Sequence, residues 1–186
     1  MLKHIVIVVA SFRKKSFNRQ LANLICELID SRAKISYLNF ESIPYMNQDL
    51  EKKLPVEIGN LKKKVYGADG LWIVTPEYNY SYPGLLKNLL DWLSRPFIPN
   101  DFSSGTALLN KKTTVSGAAG HSAAKGSLEN LNQLLLAMGC KVMKDFQVGV
   151  ALSLNSFKTD KLILSENDIK KLRIQVDEFL KFINEN

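Results

Sequence analysis

Residues 71–84 read Leu-Trp-Ile-Val-Thr-Pro-Glu-Tyr-Asn-Tyr-Ser-Tyr-Pro-Gly, and this stretch decides the fold. Its apolar first part predicts a buried strand over Leu71–Thr75. The strand ends at Pro76 because proline has no N–H to donate to a sheet ladder. Pro83 has the φ of a first helical turn, and leucines recur behind it at helical spacing. A strand, a ligand-sized loop and a helix in this order are typical of an α/β protein.

The loop between the two prolines carries groups that suit a flat ligand rich in heteroatoms. These groups are the amide of Asn79, the rings of Tyr78, Tyr80 and Tyr82, and several backbone N–H groups. Open α/β sheets bind ligands in loops at the carboxyl ends of their strands. A ligand site and a turn rich in interface tyrosines are both consistent with these residues.

The rest of the chain alternates between strand and helix patterns. Strands are predicted over His4–Ala10, Lys34–Asn39, Leu71–Thr75, Thr113–Ser116 and Val142–Val150. Helices are predicted after Ser16 or Asn18, over Val56–Tyr66, after Pro83, over Leu128–Met138, and from Ser165 to the end. This order specifies a doubly wound α/β fold with a five-stranded parallel sheet, strand order 2-1-3-4-5, and helices on both faces. Because no repeat or linker interrupts it, we expect residues 1–186 to form a single domain.

The loop after the first strand offers a second set of polar groups, Ser11-Phe12-Arg13-Lys14-Lys15-Ser16-Phe17-Asn18. A helix N-terminus favours a phosphate through its exposed N–H groups and its dipole, and Arg13 adds charge-assisted hydrogen bonds. An ordinary polar loop with a helix cap would have a similar sequence. The sequence contains neither G-x-G-x-x-G nor G-x-x-x-x-G-K-[ST], so Rossmann and P-loop nucleotide sites lose their main support.

The stretch from Thr75 to Trp92 also matches a family signature, T-P-E-Y-N-Y-S-x-P-G-x-x-K-N-x-x-D-W. By this stretch the chain resembles the NAD(P)H-dependent FMN reductases, which include quinone, azo-dye and chromate reductases of flavodoxin-like fold. The resemblance implies bound FMN, with NADPH or NADH as co-substrate. It also implies ping-pong hydride transfer through FMN to small-molecule acceptors, namely a flavin, a quinone, an azo compound or a metal oxyanion.

The same resemblance implies which residues hold the cofactor. The first loop matches the pattern Ser-x-Arg-x-x-Ser-x-Asn, which implies phosphate ligands with an aromatic neighbour. The loop after the third strand and the loop after the fourth strand would contact the ring. The implied residues are Ser11, Arg13, Ser16, Phe17, Asn18, Pro76, Glu77, Tyr78, Asn79, Ser116, Gly117 and Ala118. No side chain is implied as a nucleophile, and no metal site is predicted, because His4 and His121 are the only histidines.

Charge and cysteine content restrict the partners and the compartment. The 186 residues carry a net charge of +7, which would suit nucleic acid or an anionic membrane. The lysines are dispersed, however, and the densest run, Lys62–Lys64, is predicted to lie on a solvated helix face. We therefore expect neither partner. The apolar run at residues 5–10 is too short for a signal or a membrane span. Two distant cysteines, Cys26 and Cys140, are typical of a reducing cytoplasm.

One alternative function is a flavodoxin-type electron carrier without its own pyridine-nucleotide chemistry. Such a carrier would show a Thr/Ser/Gly-rich phosphate loop and an acidic surface, and this chain has neither. The family resemblance also implies a homodimer or homotetramer with FMN near the interface, where the loop tyrosines are candidate contacts. The physiological acceptor and the choice between NADPH and NADH stay open at this point.

Overall fold

A computed structural model describes residues 1–185 as a parallel β-sheet flanked by helices. Its strands are β1 (His4–Val9), β2 (Lys34–Tyr37), β3 (Gly70–Thr75), β4 (Lys112–Ala119), β5 (Lys141–Val142) and β6 (Val148–Ala151). Its helices are α1 (Phe17–Ile29), α2 (Val56–Tyr66), α3 (Gly84–Leu93), α4 (Lys125–Ala137), α5 (Leu154–Thr159) and α6 (Glu166–Asn184). Short 3-10 turns occur at Asp30–Arg32, Gln48–Glu51 and Phe102–Ser104.

The sheet has the order β2-β1-β3-β4-β5, and the neighbouring strands run parallel. The predicted flavodoxin-like, doubly wound fold is therefore confirmed. A parallel sheet of this kind buries both of its faces, which explains the unbroken apolar runs Ile5–Val9 in β1 and Leu71–Val74 in β3. The order places the reversal of connection direction between β1 and β3, so the loops after these strands meet at one edge.

The fifth strand position differs from the prediction. The stretch 142–150 forms two short strands instead of one, so the sheet has six strands. β5 pairs with the start of β4, and β6 pairs with its end, at Ser116–Ala119. Between them the chain leaves the sheet at residues 144–147, where Phe146 has a φ of 66°. A left-handed residue cannot continue an extended strand, which is why one strand becomes two.

Two hydrophobic cores lie on opposite faces of the sheet. In β1, Ile5, Ile7 and Val9 pack towards α1 and α6, while Val6 and Val8 pack towards α2, α3 and α4. Successive side chains of a strand point to opposite faces, so an unbroken apolar run supplies both cores. The N-terminal segment is thus a central buried strand, as its sequence predicted.

The helix termini follow the predicted capping residues. Ser16 is the N-cap of α1, and its hydroxyl accepts the N–H of Arg19 at 3.2 Å. Ser165 and Asp168 form a capping box at the start of α6. Gly139 has a φ of 83° just after α4, as expected for a left-handed helix end.

The solvated face predicted for Lys62–Lys64 is only partly present. Lys63 and Lys64 are exposed, but Lys62 is buried, and its ammonium group donates to the carbonyls of Arg95 and Pro96 at 2.9 and 2.8 Å. These carbonyls follow the end of α3 and lack intrahelical partners, so a lysine from the neighbouring helix satisfies them. Among residues 1–185, no helix is both long and apolar enough to cross a membrane.

Candidate functional site

A cavity of about 470 Å³ opens at the carboxyl ends of β1, β3, β4 and β6. This volume is in the range of pockets that hold cofactors and drug-sized ligands. Nine of the twelve predicted residues line the cavity, namely Ser11, Arg13, Ser16, Phe17, Asn18, Pro76, Glu77, Tyr78 and Ala118. The structure therefore brings together parts of all three predicted loops. The other three predicted residues, Asn79, Ser116 and Gly117, do not line this cavity.

The β1–α1 loop presents the start of a helix to one end of the cavity. The first intrahelical bond of α1 runs from the N–H of Gln20 to the carbonyl of Ser16, and the Ser16 hydroxyl takes the N–H of Arg19. The N–H groups of Phe17 and Asn18 precede these bonds, at the positive end of the helix dipole. Backbone donors in this arrangement suit an anion such as a phosphate.

Arg13 adds positive charge to the same end of the cavity. Its guanidinium donates to the carbonyl of Lys15 at 2.8 Å and lies 5.0 Å from the centre of the Phe17 ring. It is also paired with the carboxylate of Asp160, which Lys15 approaches at 3.0 Å. The hydrogen bonds from Lys15 and Arg13 hold the pKa of the Asp160 carboxyl below its usual value. These contacts fix the guanidinium beside the helix N-terminus.

Asn18 has a structural role that the sequence did not reveal. Its buried side-chain amide donates to the carbonyl of Ala118 at 2.9 Å and accepts the N–H of Ala118 at 2.8 Å. The predicted phosphate contact of Asn18 stays a prediction, and the donor that fits it is the backbone N–H in the first turn of α1. The side chain instead joins the end of β4 to the start of α1 across the cavity floor.

The β3–α3 loop turns through a tight hairpin. The backbone groups of Tyr78 and Ser81 exchange two hydrogen bonds, at 2.8 and 3.0 Å, around Asn79 and Tyr80. Both central residues have positive φ values, 51° and 63°, as a type I′ turn requires. The hairpin directs Tyr78 to the cavity and places Asn79 at the exposed tip. Asn79 therefore does not line the cavity, and its predicted contact with the ring stays a prediction.

Glu77 caps a neighbouring helix. Helix α4 begins after Ala124, which has no capping side chain, and the Glu77 carboxylate accepts the N–H of Ser127 at 3.0 Å. Burial acts to raise the pKa of the Glu77 carboxyl, but hydrogen bonds from Ser122, Ser127 and Gly126 outweigh it and hold the pKa below its usual value. The residue is therefore an ionised helix cap near neutral pH.

The first turn of α4 further fixes the β3–α3 loop. The hydroxyl of Ser127 donates to the carbonyl of Pro76 at 2.9 Å, and the amide of Asn130 donates to the carbonyl of Tyr80 at 3.0 Å. A Cβ at Gly126 would lie 2.6 Å from that same carbonyl, so only glycine permits this approach. The backbone of the loop is held rigidly beside the cavity.

Ser116 is the predicted last residue of the fourth strand and Gly117 the first residue of the loop, but β4 continues through both to Ala119. The direction of the Ser116 side chain is therefore set by the strand. The Ser116 hydroxyl faces the core, where it accepts from the indole N–H of Trp72 at 3.0 Å and donates to Gln175 at 2.9 Å. Gly117 lies against β3, and a Cβ there would be 2.5 Å from the carbonyl of Thr75. Both residues support the cavity from behind and do not line it.

Four lining residues were not predicted from the sequence. Ala119 and Gly120 extend the wall made by Ala118, and Leu152 and Phe157 come from the segment after β6. The rule that ligands meet the carboxyl ends of parallel strands applies to β6 as well as to β1, β3 and β4. Leu152 could therefore have been predicted from its position directly after β6. Phe157 could not, because it lies on α5, and that helix was not predicted.

Comparison with known proteins identifies the family. The family model described as NADPH-dependent FMN reductase matches residues 3–154. The chain belongs to the NADPH-dependent FMN reductase family. Quinone reductase from Pseudomonas putida is 31% identical over 185 residues, which cover 98% of this chain and 95% of that protein. A 2-hydroxy-1,4-benzoquinone reductase from a Burkholderia species is 43% identical over 97 residues, a match spanning about half of each protein, 52% and 53%.

A solved structure agrees with this assignment to the FMN reductases. The flavoenzyme NAD(P)H:(acceptor) oxidoreductase FerB from Paracoccus denitrificans is 28% identical and has a TM-score of 0.86. The match covers 98% of this chain and 97% of FerB. The implied activity class, an NAD(P)H-dependent FMN oxidoreductase with FMN as cofactor, is thus confirmed at the level of the family.

The residues around the cavity fit FMN. The helix N-terminus and Arg13 suit the single phosphate at one end, while Phe17, Pro76, Ala118 and Leu152 supply apolar wall for a ring system. The polar atoms nearby are mainly backbone groups held by the contacts described above. No additional donor cluster is needed, since FMN lacks the second phosphate and the adenine of a dinucleotide.

Proposed function

We propose that this FMN reductase binds FMN in the cavity with its phosphate at the start of α1. The observation that carries the proposal is the convergence of two backbone N–H groups, the Ser16 cap and Arg13 at one end of the cavity. Ser11, which is buried and adjacent, adds a hydroxyl. Pro76, Glu77, Tyr78 and Ala118 stand where the ring system would lie, and Asn79, Ser116 and Gly117 would act by supporting them.

FMN, when bound, would take a hydride from NADPH or NADH and pass two electrons to an acceptor. The protein's part is to bind and orient the cofactor through fixed backbone groups in the β3–α3 loop. Such preorganised donors stabilise negative charge without reorganising during a reaction. Quinones are the acceptors that we propose first, because the named relatives are quinone reductases. Azo compounds and metal oxyanions are further candidate acceptors.

The test is ligand identification followed by steady-state kinetics. The purified protein is saturated with a mixture of FMN, FAD and riboflavin, washed, heated and examined by mass spectrometry for the released flavin. We expect FMN. NADPH or NADH oxidation with 1,4-benzoquinone should then give parallel double-reciprocal lines, as one cavity serves both substrates in turn. Release of FAD alone, or NAD(P)H oxidation by the flavin-free protein with no FMN added, would overturn the proposal.

Assembly and compartment belong to the same proposal. We propose a homodimer or homotetramer, supported by the exposure of Tyr78 and Tyr80, 55% and 81%, beside the cavity. The reducing cytoplasm is the proposed compartment, since Cys26 and Cys140 are unpaired. Light scattering after size-exclusion chromatography tests the assembly, and a monomer at micromolar concentration would refute it.

A further inference from the structure

The segment from Leu152 to Leu162 forms a fourth side of the cavity. It begins directly after β6, contains α5, and contributes Leu152 and Phe157 to the lining. The FMN reductase family match ends at residue 154, so Phe157 and Asp160 lie beyond it. The family model therefore assigns no role to these two residues.

Hydrogen bonds at both ends hold the segment against the cavity. At its start, the N–H of Leu152 donates to the carbonyl of Ala119 at 2.8 Å. At its end, the amide of Gln20 on α1 binds two backbone groups, donating to the carbonyl of Asp160 at 2.9 Å and accepting the N–H of Leu162 at 2.8 Å. The Gln20 side chain thus forms hydrogen bonds with the backbone of the segment on both sides of Lys161.

Asp160 adds an ionic connection to the β1–α1 loop. Its carboxylate is paired with the guanidinium of Arg13 and lies 3.0 Å from the ammonium of Lys15. Asp160 does not itself line the cavity, whereas Arg13 does. Arg13, which is proposed to bind the phosphate, is consequently also the residue that holds the fourth side of the cavity in place.

Phe157 is the side chain that the segment brings to the cavity. Its ring packs edge-on against Phe17, with 5.7 Å between ring centres, and Phe17 in turn lies beneath Arg13. The Phe157 side chain is nevertheless 53% exposed. A large aromatic ring that lines a cavity and leaves half of its surface uncovered has apolar area available for a ligand.

We propose that residues 152–162 are a fourth FMN-binding element, in which Phe157 contacts the flavin and Asp160 positions the element through Arg13 and Lys15. The inference rests on the proposed function, since it assumes that FMN occupies this cavity. Phe157 is the binding residue. Asp160 and Gln20 are positioning residues, which act through the segment that they hold.

The charges around Asp160 favour this positioning role over competition with the phosphate. Within the two contacting segments, 13–15 and 158–161, there are five cationic residues, Arg13, Lys14, Lys15, Lys158 and Lys161, and one acid, Asp160. A phosphate would therefore still meet a net positive region with the Asp160 carboxylate in place. Because its ion pairs are largely exposed, their effect on overall stability is small, and positioning of the segment is their main consequence.

Flavin binding to purified variants tests the inference. Dissociation constants for FMN and for riboflavin, which lacks the phosphate, are measured by quenching of flavin fluorescence. Phe157→Ala should raise both constants by about tenfold, since the lost contact involves no phosphate, and Phe157→Leu should recover most of the affinity. Asp160→Asn should raise both constants by about threefold to tenfold.

Two matched variants serve as controls. Phe146 is 52% exposed, almost the same as Phe157, but lies away from this cavity, so Phe146→Ala should leave both constants unchanged. Asp177 forms an exposed ion pair with Arg32 at 2.6 Å, and Asp177→Asn should likewise have no effect. Thermal unfolding without flavin confirms that each variant is folded.

The outcomes separate this inference from the proposed function. Unchanged constants in Phe157→Ala would overturn the contact, and tighter FMN binding with unchanged riboflavin binding in Asp160→Asn would show competition instead of positioning. In either case the wild-type protein still binds FMN and the proposed function stands. Wild-type protein that bound neither flavin would overturn the proposed function, and this inference with it.

Discussion

The side chain of Asn18 is hydrogen-bonded to both backbone groups of Ala118, at 2.9 and 2.8 Å. The two residues are 100 positions apart, and Asn18 is only 3% exposed. One buried amide therefore ties the start of α1, which is proposed to face the phosphate, to the end of β4, which is proposed to face the ring. The relative position of the two ends of the cofactor site depends on this pair.

Asn18→Ala should lower the free energy of unfolding by about 3 kcal/mol, because it leaves a buried N–H and a buried C=O of Ala118 without partners. Urea unfolding of the flavin-free protein measures this loss in the free energy of unfolding. Asn23→Ala is the matched control, since Asn23 lies on the same helix and its one contact, with the Tyr37 hydroxyl, is exposed. Equal losses in the two variants would contradict the structural role of Asn18.

Arg13→Ala should weaken FMN binding by about tenfold to a hundredfold, the loss of one charge-assisted hydrogen bond to a phosphate. Riboflavin binding should weaken by a smaller factor, since Lys15 still holds Asp160. Hydride transfer in the FMN-saturated variant should stay near the wild-type rate, measured by stopped-flow absorbance with NADPH. An unchanged FMN affinity with a collapsed rate would place Arg13 at the reacting end of the cofactor instead.

The sheet could be predicted because local patterns of a few residues indicate the strands and the crossover helices. The unbroken apolar run at the N-terminus and the proline after Leu71–Thr75 are examples. The break in the fifth strand could not be predicted, because it depends on a positive φ at Phe146, a residue type that carries no turn signal.

The loops that meet at the candidate site could be predicted from the sequence. The directions of individual side chains could not be predicted as well. Ser116 is the predicted strand end, but its hydroxyl faces Gln175 in the core, and β4 continues for three residues beyond it. Lys62 was expected in solvent, yet two carbonyls after a neighbouring helix bind it. The contact between Asp160 and Arg13 could not be predicted, because the two residues lie 147 positions apart in the sequence.

Glu77→Gln should reduce the free energy of unfolding at pH 7 by about 1 kcal/mol, the usual effect of weakening a helix cap. The pKa of Glu77 is lower in the folded protein than the ordinary 4.5, so the carboxylate contributes stability above pH 4.5. That contribution is lost as the pH falls through the folded-state pKa.

Thermal unfolding of the flavin-free protein at several pH values between 3 and 7 checks this dependence on Glu77. The difference in unfolding temperature between wild type and Glu77→Gln should disappear at the lowest pH values. Glu129→Gln is the control on the same helix, because Glu129 is exposed and its partner Lys125 is 4.0 Å away. A gap that stayed constant down to the lowest pH would mean that the charge of Glu77 does not act on α4.

Gly117→Ala should destabilise the protein by about 1–3 kcal/mol, because the added Cβ would lie 2.5 Å from the carbonyl of Thr75 and 2.7 Å from the Cβ of Ala124. The carbonyl belongs to the neighbouring strand β3, so neither neighbour can rotate away as a flexible side chain would. The family resemblance placed Gly117 against the flavin ring, whereas this geometry explains the glycine by packing between β3, β4 and the start of α4.

Gly84→Ala is the matched control for Gly117→Ala. A Cβ at Gly84 has no neighbour within 4 Å, and the residue opens α3, so alanine there should be neutral or slightly stabilising. Urea unfolding of both variants without flavin gives the comparison. If Gly117→Ala kept wild-type stability and lost only FMN affinity, the glycine would serve the cofactor directly. A loss of stability in the flavin-free protein assigns it to the strand packing that shapes the cavity.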